Sequence, residues 1–268
     1  MKKLMNHVID IASEAAEILR FYHKKVIDIK RKDDQSPLTI ADMKAHQCIV
    51  EKLEHLTPDI PILSEESNPL PTYQVRKNWQ KYWLIDPLDG TKSFIDGKDD
   101  FVISIALIEA HQPIIGIIYV PIDDICYFAS VKDGAFKRII SNGNSNDIKL
   151  VSNNERDEVL KITLGSSKPL SERLLYKLES VKPYRLIKTA SALKFCYVAE
   201  GSADIYLRLY PTYEWDTAAG QCILSQAGGK CVDLENKTIL SYNRKDSLIN
   251  PYFIAGVPWA MERLKKYL

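Results

Sequence analysis

Apolar residues recur at Leu4, Val8, Ile11, Ala12, Ala15 and Leu19 with charges between them, a spacing that predicts an amphipathic helix over residues 3–22. Val26–Lys30 alternates like a short edge strand, and Lys32–Pro37 reads as a charged loop. Thr39 then opens a second helix whose Ala45, Ile49, Leu53 and Leu56 share one face, with Pro58 just past its end. Ile60–Leu63 is a buried strand that exits into Ser64-Glu65-Glu66-Ser67, and Asn68–Asn78 is a Pro-bearing surface loop. Tyr82–Ile85 is a further strand, and it delivers Asp86 and Asp89 onto a turn that holds Pro87 and Gly90.

Three nearly continuous apolar runs follow, 101–109, 114–120 and 125–130, joined by short turns. They read as an antiparallel meander covered on both faces, one of them by the two N-terminal helices. The polar stretch 141–150 is placed as the lobe boundary, giving an N-terminal α+β lobe over 1–145 and a C-terminal α/β lobe over 146–268. Beyond it strand and helix alternate: strand 161–164, helix 171–180, strand 184–187, helix 191–200, strand 203–209, helix 215–227 closed by Gly228-Gly229, strands near 230–233 and 253–256, and a short terminal helix.

Composition narrows the possibilities. With 268 residues, 46% of them hydrophobic, the chain has material for a sizeable core. Lys and Arg number 36 against 35 Asp and Glu, so no global field points to a nucleic-acid polymer as partner. The five cysteines are scattered without CxxC spacing, mostly inside apolar runs, and read as core residues of a reducing cytosol. No apolar run approaches the roughly 20 residues of a membrane span, which leaves a cytoplasmic protein with peripheral membrane contact as an open option.

The candidate chemistry sits in the acids. Pro87 fixes its own φ and Gly90 permits either sign, so the turn can hold Asp86 and Asp89 close together beside exposed N–H groups. Paired carboxylates repel unless a cation lies between them, and oxygen donors beside bare amides suit a hard divalent metal plus phosphate. Each acid also has a structural reading: Asp86 and Asp89 as turn caps, Glu65 and Glu66 as solvated charge, Asp42 as a capping-box partner three residues after Thr39, and Asp216 as the N-cap of its helix. The histidines, His7, His23, His46, His55 and His111, lie away from these motifs and read as surface or packing residues.

Taken together, Glu65 in Leu-Ser-Glu-Glu-Ser, Asp86-Pro87-Leu88-Asp89-Gly90-Thr91 with Phe94, and Trp215-Asp216-Thr217-Ala218-Ala219-Gly220 resemble the two signatures of the inositol monophosphatase superfamily over essentially the whole chain. Within it, Trp79–Trp83, Ser191–Cys196 with Val198–Gly201, and Pro211-Thr212 are most similar to the CysQ-type 3′(2′),5′-bisphosphate nucleotidases. The resemblance implies a layered αβαβα sandwich and a lithium-sensitive, Mg²⁺-dependent phosphomonoesterase. Its substrate would be the 3′-phosphate of adenosine 3′,5′-bisphosphate, a small molecule recycled in sulfur assimilation, and the enzyme a monomer or homodimer.

Together with the clustering of acids, it assigns two or three Mg²⁺ ions to Glu65, Asp86, Asp89, Asp216 and the carbonyl of Leu88. Thr91 and Asp42 would orient the attacking water, with Glu65 beside them, and the N–H groups of Gly90 and Thr91 would cradle phosphate oxygens. Ser191, Lys194 and Arg208 would hold the nucleotide and its second phosphate. The chain departs from the nucleotidase pattern at Gly165–Pro169, where Lys168 stands in place of a histidine, and at Ala190-Ser191-Ala192. The competing readings are an inositol-1-phosphate or fructose-1,6-bisphosphate phosphatase and an inactive nucleotide-binding homologue.

Overall fold

The computed structural model describes residues 1–25, 29–31, 37–141, 144–153, 155–165, 178–179 and 181–265. The predicted helix 171–180 and the loop bearing Lys168 lie almost wholly outside them, as do most of the predicted strand 26–30 and charged loop 32–37. Two helices, α1 (Lys2–Tyr22) and α2 (Ile40–Leu56), flank a short antiparallel pair, β1 (Ile29–Arg31) and β2 (Pro37–Thr39). A seven-stranded sheet then runs in chain order from β3 (Ile62–Ser64) through β4 (Lys81–Asp89), β5 (Val102–Glu109), β6 (Gln112–Val120), β7 (Ile125–Ser130) and β8 (Gly134–Ser141) to β9 (Asn144–Lys149). Only β3 and β4 are parallel; every other pairing in this sheet is antiparallel.

The continuous apolar strands are explained by two cores. Trp83, Ile85, Ile103, Ile105, Leu107, Ile115, Ile117 and Tyr119 pack toward α1 and α2. Their alternates Tyr82, Leu84, Val102, Ala106, Ile108, Ile118 and Val120 pack on the opposite face into the second core. That core continues into a five-stranded mixed sheet of β10 (Leu160–Gly165), β11 (Tyr184–Thr189), β12 (Ile205–Arg208), β13 (Lys230–Asp233) and β14 (Phe253–Gly256), ordered β11-β10-β12-β14-β13. Between the two sheets lie α5 (Leu193–Ala199) and α6 (Ala218–Gln226). Phe195 of α5 stacks on Phe253 of β14, whereas Gly256, of opposite parity, faces Met261 of α7 (Pro258–Lys265). α7 therefore covers the far side, and the layers run helix, sheet, helix, sheet, helix as expected.

The polar stretch 141–150 is not a linker. β9 occupies most of it, paired along its length with β8, so the large sheet continues through Lys149. As an edge strand, its Ser145–Lys149 are exposed, and no apolar alternation marked it. Two short helices were also missed, α3 (Tyr73–Arg76) and α4 (Thr91–Ile95).

The layers approach closely where α6 crosses β6. A Cβ built on Gly116 would stand 2.4 Å from the carbonyl oxygen of Ala219 and 2.7 Å from Cys222 Cβ. Gly116→Ala therefore forces backbone apart and lowers the urea-unfolding free energy by ~1–3 kcal/mol with an unchanged m-value; an unaltered midpoint would contradict this packing.

Candidate active site

Asp86 pairs with Ser104 and Asp89 with Val102, so three steps on β4 oppose two on β5. The extra residue is a β-bulge, and the sequence reading of a plain turn misses it. Pro87, with no N–H to lose, sits in the bulge, and Asp86 Oδ1 accepts from the Leu88 N–H at 2.9 Å. Gly90 then reverses the chain at φ +101°, where a Cβ would come 3.3 Å from Phe101 Cα.

Parallel pairing places the exits of β3 and β4 at the same end of the sheet. Ser64 registers with Ile85, and the Glu65 N–H donates to the Ile85 carbonyl at 3.0 Å, which sets Glu65 beside Asp86. The third acid comes from far along the chain, from a turn beyond β12. Asp216 closes a 3₁₀ turn, Glu214–Asp216, and accepts from the Tyr213 N–H at 2.8 Å; α6 starts only at Ala218, later than the predicted helix start at 215. Asp216 is thus a local cap, though of the turn rather than of the helix. Buried Glu214 anchors the turn by accepting from the Asn243 N–H at 2.8 and 3.0 Å, and Asn243 in turn accepts from buried Arg76 at 2.6 Å.

The result is a convergence of Glu65, Asp86 and Asp216, each offering an oxygen within 4.8 Å of the others. Burial, reinforced by Glu65, Asp89 and Asp216, drives the Asp86 carboxyl well above the ordinary value. Burial and the charges of Asp89 and Glu65 do the same to Asp216. Asp89 lies beside this trio; burial raises it to about 6 against the opposing pull of Lys194 and of the Ala192 N–H, which donates to its Oδ2 at 2.6 Å. Buried carboxyls with raised proton affinity call for protons or cations. The cluster is made of oxygens alone, without imidazole or thiolate, which fits a hard divalent cation such as Mg²⁺ better than zinc or copper.

Thr91 Oγ1 lies within donating reach of Asp42 Oδ1 at 3.2 Å and of the Leu88 carbonyl at 3.1 Å. Asp42 also completes the capping box, accepting from the Thr39 N–H at 2.8 Å and from its hydroxyl at 2.5 Å. Asp42 therefore keeps its capping-box role while its other oxygen reaches Thr91. Burial raises its carboxyl above the ordinary value while the bonds from Thr39 pull it back.

Across the lobe junction, Ser191 adopts φ +54° in the turn before α5. Lys194 is buried, donating to the carbonyls of Ser191 and, at 3.4 Å, Thr189; burial lowers it to about 8 despite the attraction of Asp89. Arg208 is held by the carbonyls of Tyr210 and Pro211 at 3.1 and 3.0 Å, and its charge is felt by Asp89, Asp216 and Lys194.

Two histidines stand nearer the motifs than the sequence suggested. His46 Nδ1 meets Ser64 Oγ at 2.9 Å, one residue from Glu65. His23 packs against Phe94 and Phe101, with ring centroids 5.3 and 4.9 Å away, behind the Gly90 turn. The helical spacing of α1 and α2 gives no sign of either contact, because both are made across elements.

A family model described as the inositol monophosphatase family matches residues 1–264. A 3′(2′),5′-bisphosphate nucleotidase CysQ of Aggregatibacter actinomycetemcomitans is 38% identical over 262 residues, 96% of this chain and 95% of that one. The Salmonella typhimurium protein of the same name is 39% identical over 252 residues, covering 93% and 98%. The crystal structure of CysQ from Bacteroides thetaiotaomicron superposes with a TM-score of 0.80 at 35% identity, over 94% of this chain and 96% of that one.

Carboxyls that hold protons more tightly folded than unfolded contribute stability that is full below the unfolded value of 3.8 and fades as pH climbs through the folded values, about 6 for Asp89. In chelator, this contribution to thermal stability accordingly falls between about pH 4 and pH 7. Millimolar Mg²⁺ raises the melting temperature at neutral pH, whereas Asp86→Asn stabilises the chelated protein and removes the Mg²⁺ increment. Identical melting curves with and without Mg²⁺ would refute a cation site here.

Proposed function

The chain belongs to the inositol monophosphatase family, and from that premise we propose that it is a phosphatase of bisphosphate nucleotides that removes the 3′-phosphate of adenosine 3′,5′-bisphosphate, leaving AMP and phosphate. The observation that carries this reading is an all-carboxylate cluster at the lobe junction with two cations, Lys194 and Arg208, within its electrostatic reach. Four acids alone would serve any phosphomonoester; the added cations suit a substrate with a second phosphate. The relatives named as 3′(2′),5′-bisphosphate nucleotidases, matched over nearly their full length, support the same choice. Among the described residues, no helix is long and apolar enough to cross a membrane.

Glu65, Asp86, Asp89, Asp216 and the Leu88 carbonyl would hold two or three Mg²⁺ ions. Mg²⁺, when bound, supplies charge neutralisation for the phosphoryl and leaving oxygens and makes water more acidic. Asp42 receives the Thr91 hydroxyl proton at 3.2 Å, which turns the lone pairs of that hydroxyl toward the site to orient a water. The Thr39 bonds favour the ionised form of Asp42 against the upward pull of burial. The Gly90 turn presents backbone N–H groups at the start of α4 to phosphate oxygens. Ser191, Lys194 and Arg208 would take the nucleotide and its 5′-phosphate.

With Mg²⁺ present, Asp89→Asn lowers turnover of adenosine 3′,5′-bisphosphate by at least ~10²–10³-fold, the scale of one lost electrostatic stabiliser, with the fold intact by circular dichroism. Arg208→Ala raises the KM for that substrate by roughly 10- to 100-fold, as expected for a lost charge-assisted bond, and spares inositol 1-phosphate hydrolysis. Equal assays on inositol 1-phosphate and fructose 1,6-bisphosphate decide the substrate; a preference for either polyol overturns the nucleotide assignment.

A further inference from the structure

Asp100 belongs to none of the motifs, yet it reaches across the lobe junction to the turn that carries Ser191. Its Oδ2 accepts from the Ala190 N–H at 2.8 Å, while Asp89 Oδ2 accepts from the Ala192 N–H at 2.6 Å. Two carboxylates of the N-terminal lobe thus grip the amides on either side of Ser191, and Lys194 grips the carbonyls of Thr189 and Ser191 from below. Ser191 needs that grip. At φ +54° it occupies a conformation that costs a non-glycine residue on the order of 1 kcal/mol and persists only where neighbours impose it.

Asp100 is itself firmly placed. Phe101, fully buried, is wedged between Phe94 and His23 with ring centroids 5.0 and 4.9 Å away, and the Asp100–Phe101 backbone lies against Gly90. Its second oxygen, Oδ1, is buried without a hydrogen-bond partner among the described residues, so the bond to Ala190 is the side-chain hydrogen bond through which it holds the turn, and its charge also attracts Lys194.

The geometry points to Asp100 as a positioning residue for nucleotide recognition: by holding the Ala190 amide it fixes the left-handed Ser191 turn, and with it the Ser191 hydroxyl and the Lys194 ammonium, beside Asp89 and the carboxylate cluster. This rests on the nucleotide reading above and goes beyond it in naming a residue that touches neither metal nor phosphate. The grip on the two flanking amides is divided: Asp89 also adds its charge to the cluster, whereas Asp100 holds the turn and attracts Lys194.

Steady-state kinetics of the full chain with Mg²⁺, on adenosine 3′,5′-bisphosphate and on p-nitrophenyl phosphate, test it. Asp100→Ala raises the KM for the bisphosphate about tenfold with kcat within about twofold, and moves kcat/KM for p-nitrophenyl phosphate by less than about twofold. Asp100→Asn keeps an acceptor for Ala190 and stays within about threefold of the parent on both substrates. If the alanine variant misfolds, Asp100→Ser, whose hydroxyl is too short to reach Ala190, gives the same readings. Equal losses on both substrates, an unchanged KM for the bisphosphate, or an asparagine variant as impaired as the alanine one would each overturn the assignment. A parent enzyme that hydrolyses p-nitrophenyl phosphate but not the bisphosphate would instead sink the nucleotide reading, and this inference with it.

Discussion

Repulsion among crowded carboxylates, Asp86 buried and its neighbours half-buried, governs this molecule. Glu65, Asp86 and Asp216 approach within 4.8 Å of one another, and Asp89 adds its field to them. Left to themselves such groups would separate or take up protons, because in a poorly solvated site like charges at this range cannot all stay ionised. The fold must force them together. It does so with backbone, since side-chain contacts alone could not outweigh the repulsion.

Three separate devices supply that force. Parallel pairing of β3 and β4 brings two strand exits level, the bulge of β4 turns Asp86 and Asp89 toward the same region, and the 3₁₀ turn anchored through Glu214, Asn243 and Arg76 brings in Asp216. The second core, shared between the large sheet, α5, α6 and the five-stranded sheet, fixes one sheet against the other. A site drawn from both ends of the chain is only as exact as that packing. The close approach of α6 to Gly116 is one point where it is set by backbone contact.

The sequence showed the acids, the apolar strands and the long helices, because each is encoded locally: α1 and α2 by periodicity, the meander by uninterrupted apolar runs. What it hid depends on pairing. The bulge at Asp86–Asp89 exists only relative to β5, and β9 is a strand only because β8 lies beside it; its exposed polar residues carry no alternation to announce it. Asp42 and Asp216 illustrate a subtler limit. Read alone, each has a sufficient local role as a cap, and the structure gives each one, Asp42 in the capping box of α2 and Asp216 on the 3₁₀ turn rather than on the helix, so nothing in their immediate neighbours signals the long-range contacts they also make. His46, bonded to Ser64, and the Asp100 bond to Ala190 span elements and left no pattern to detect.

Charge balance adds a last step. Four carboxylates, Glu65, Asp86, Asp89 and Asp216, lie near two cations, Lys194 and Arg208, leaving two formal negative charges in a partly buried setting. Lys194 is turned inward onto the Ser191 and Thr189 carbonyls, and burial lowers its proton affinity to about 8 despite the attraction of Asp89. A lysine recruited merely to neutralise the acids would sit among their oxygens. Instead it braces the turn of left-handed Ser191, and its charge is left to be shared between the acids and whatever anion enters. That division of labour separates the carboxylate cluster, which any phosphomonoester could use, from the braced turn, whose upkeep makes sense only for a substrate long enough to reach it.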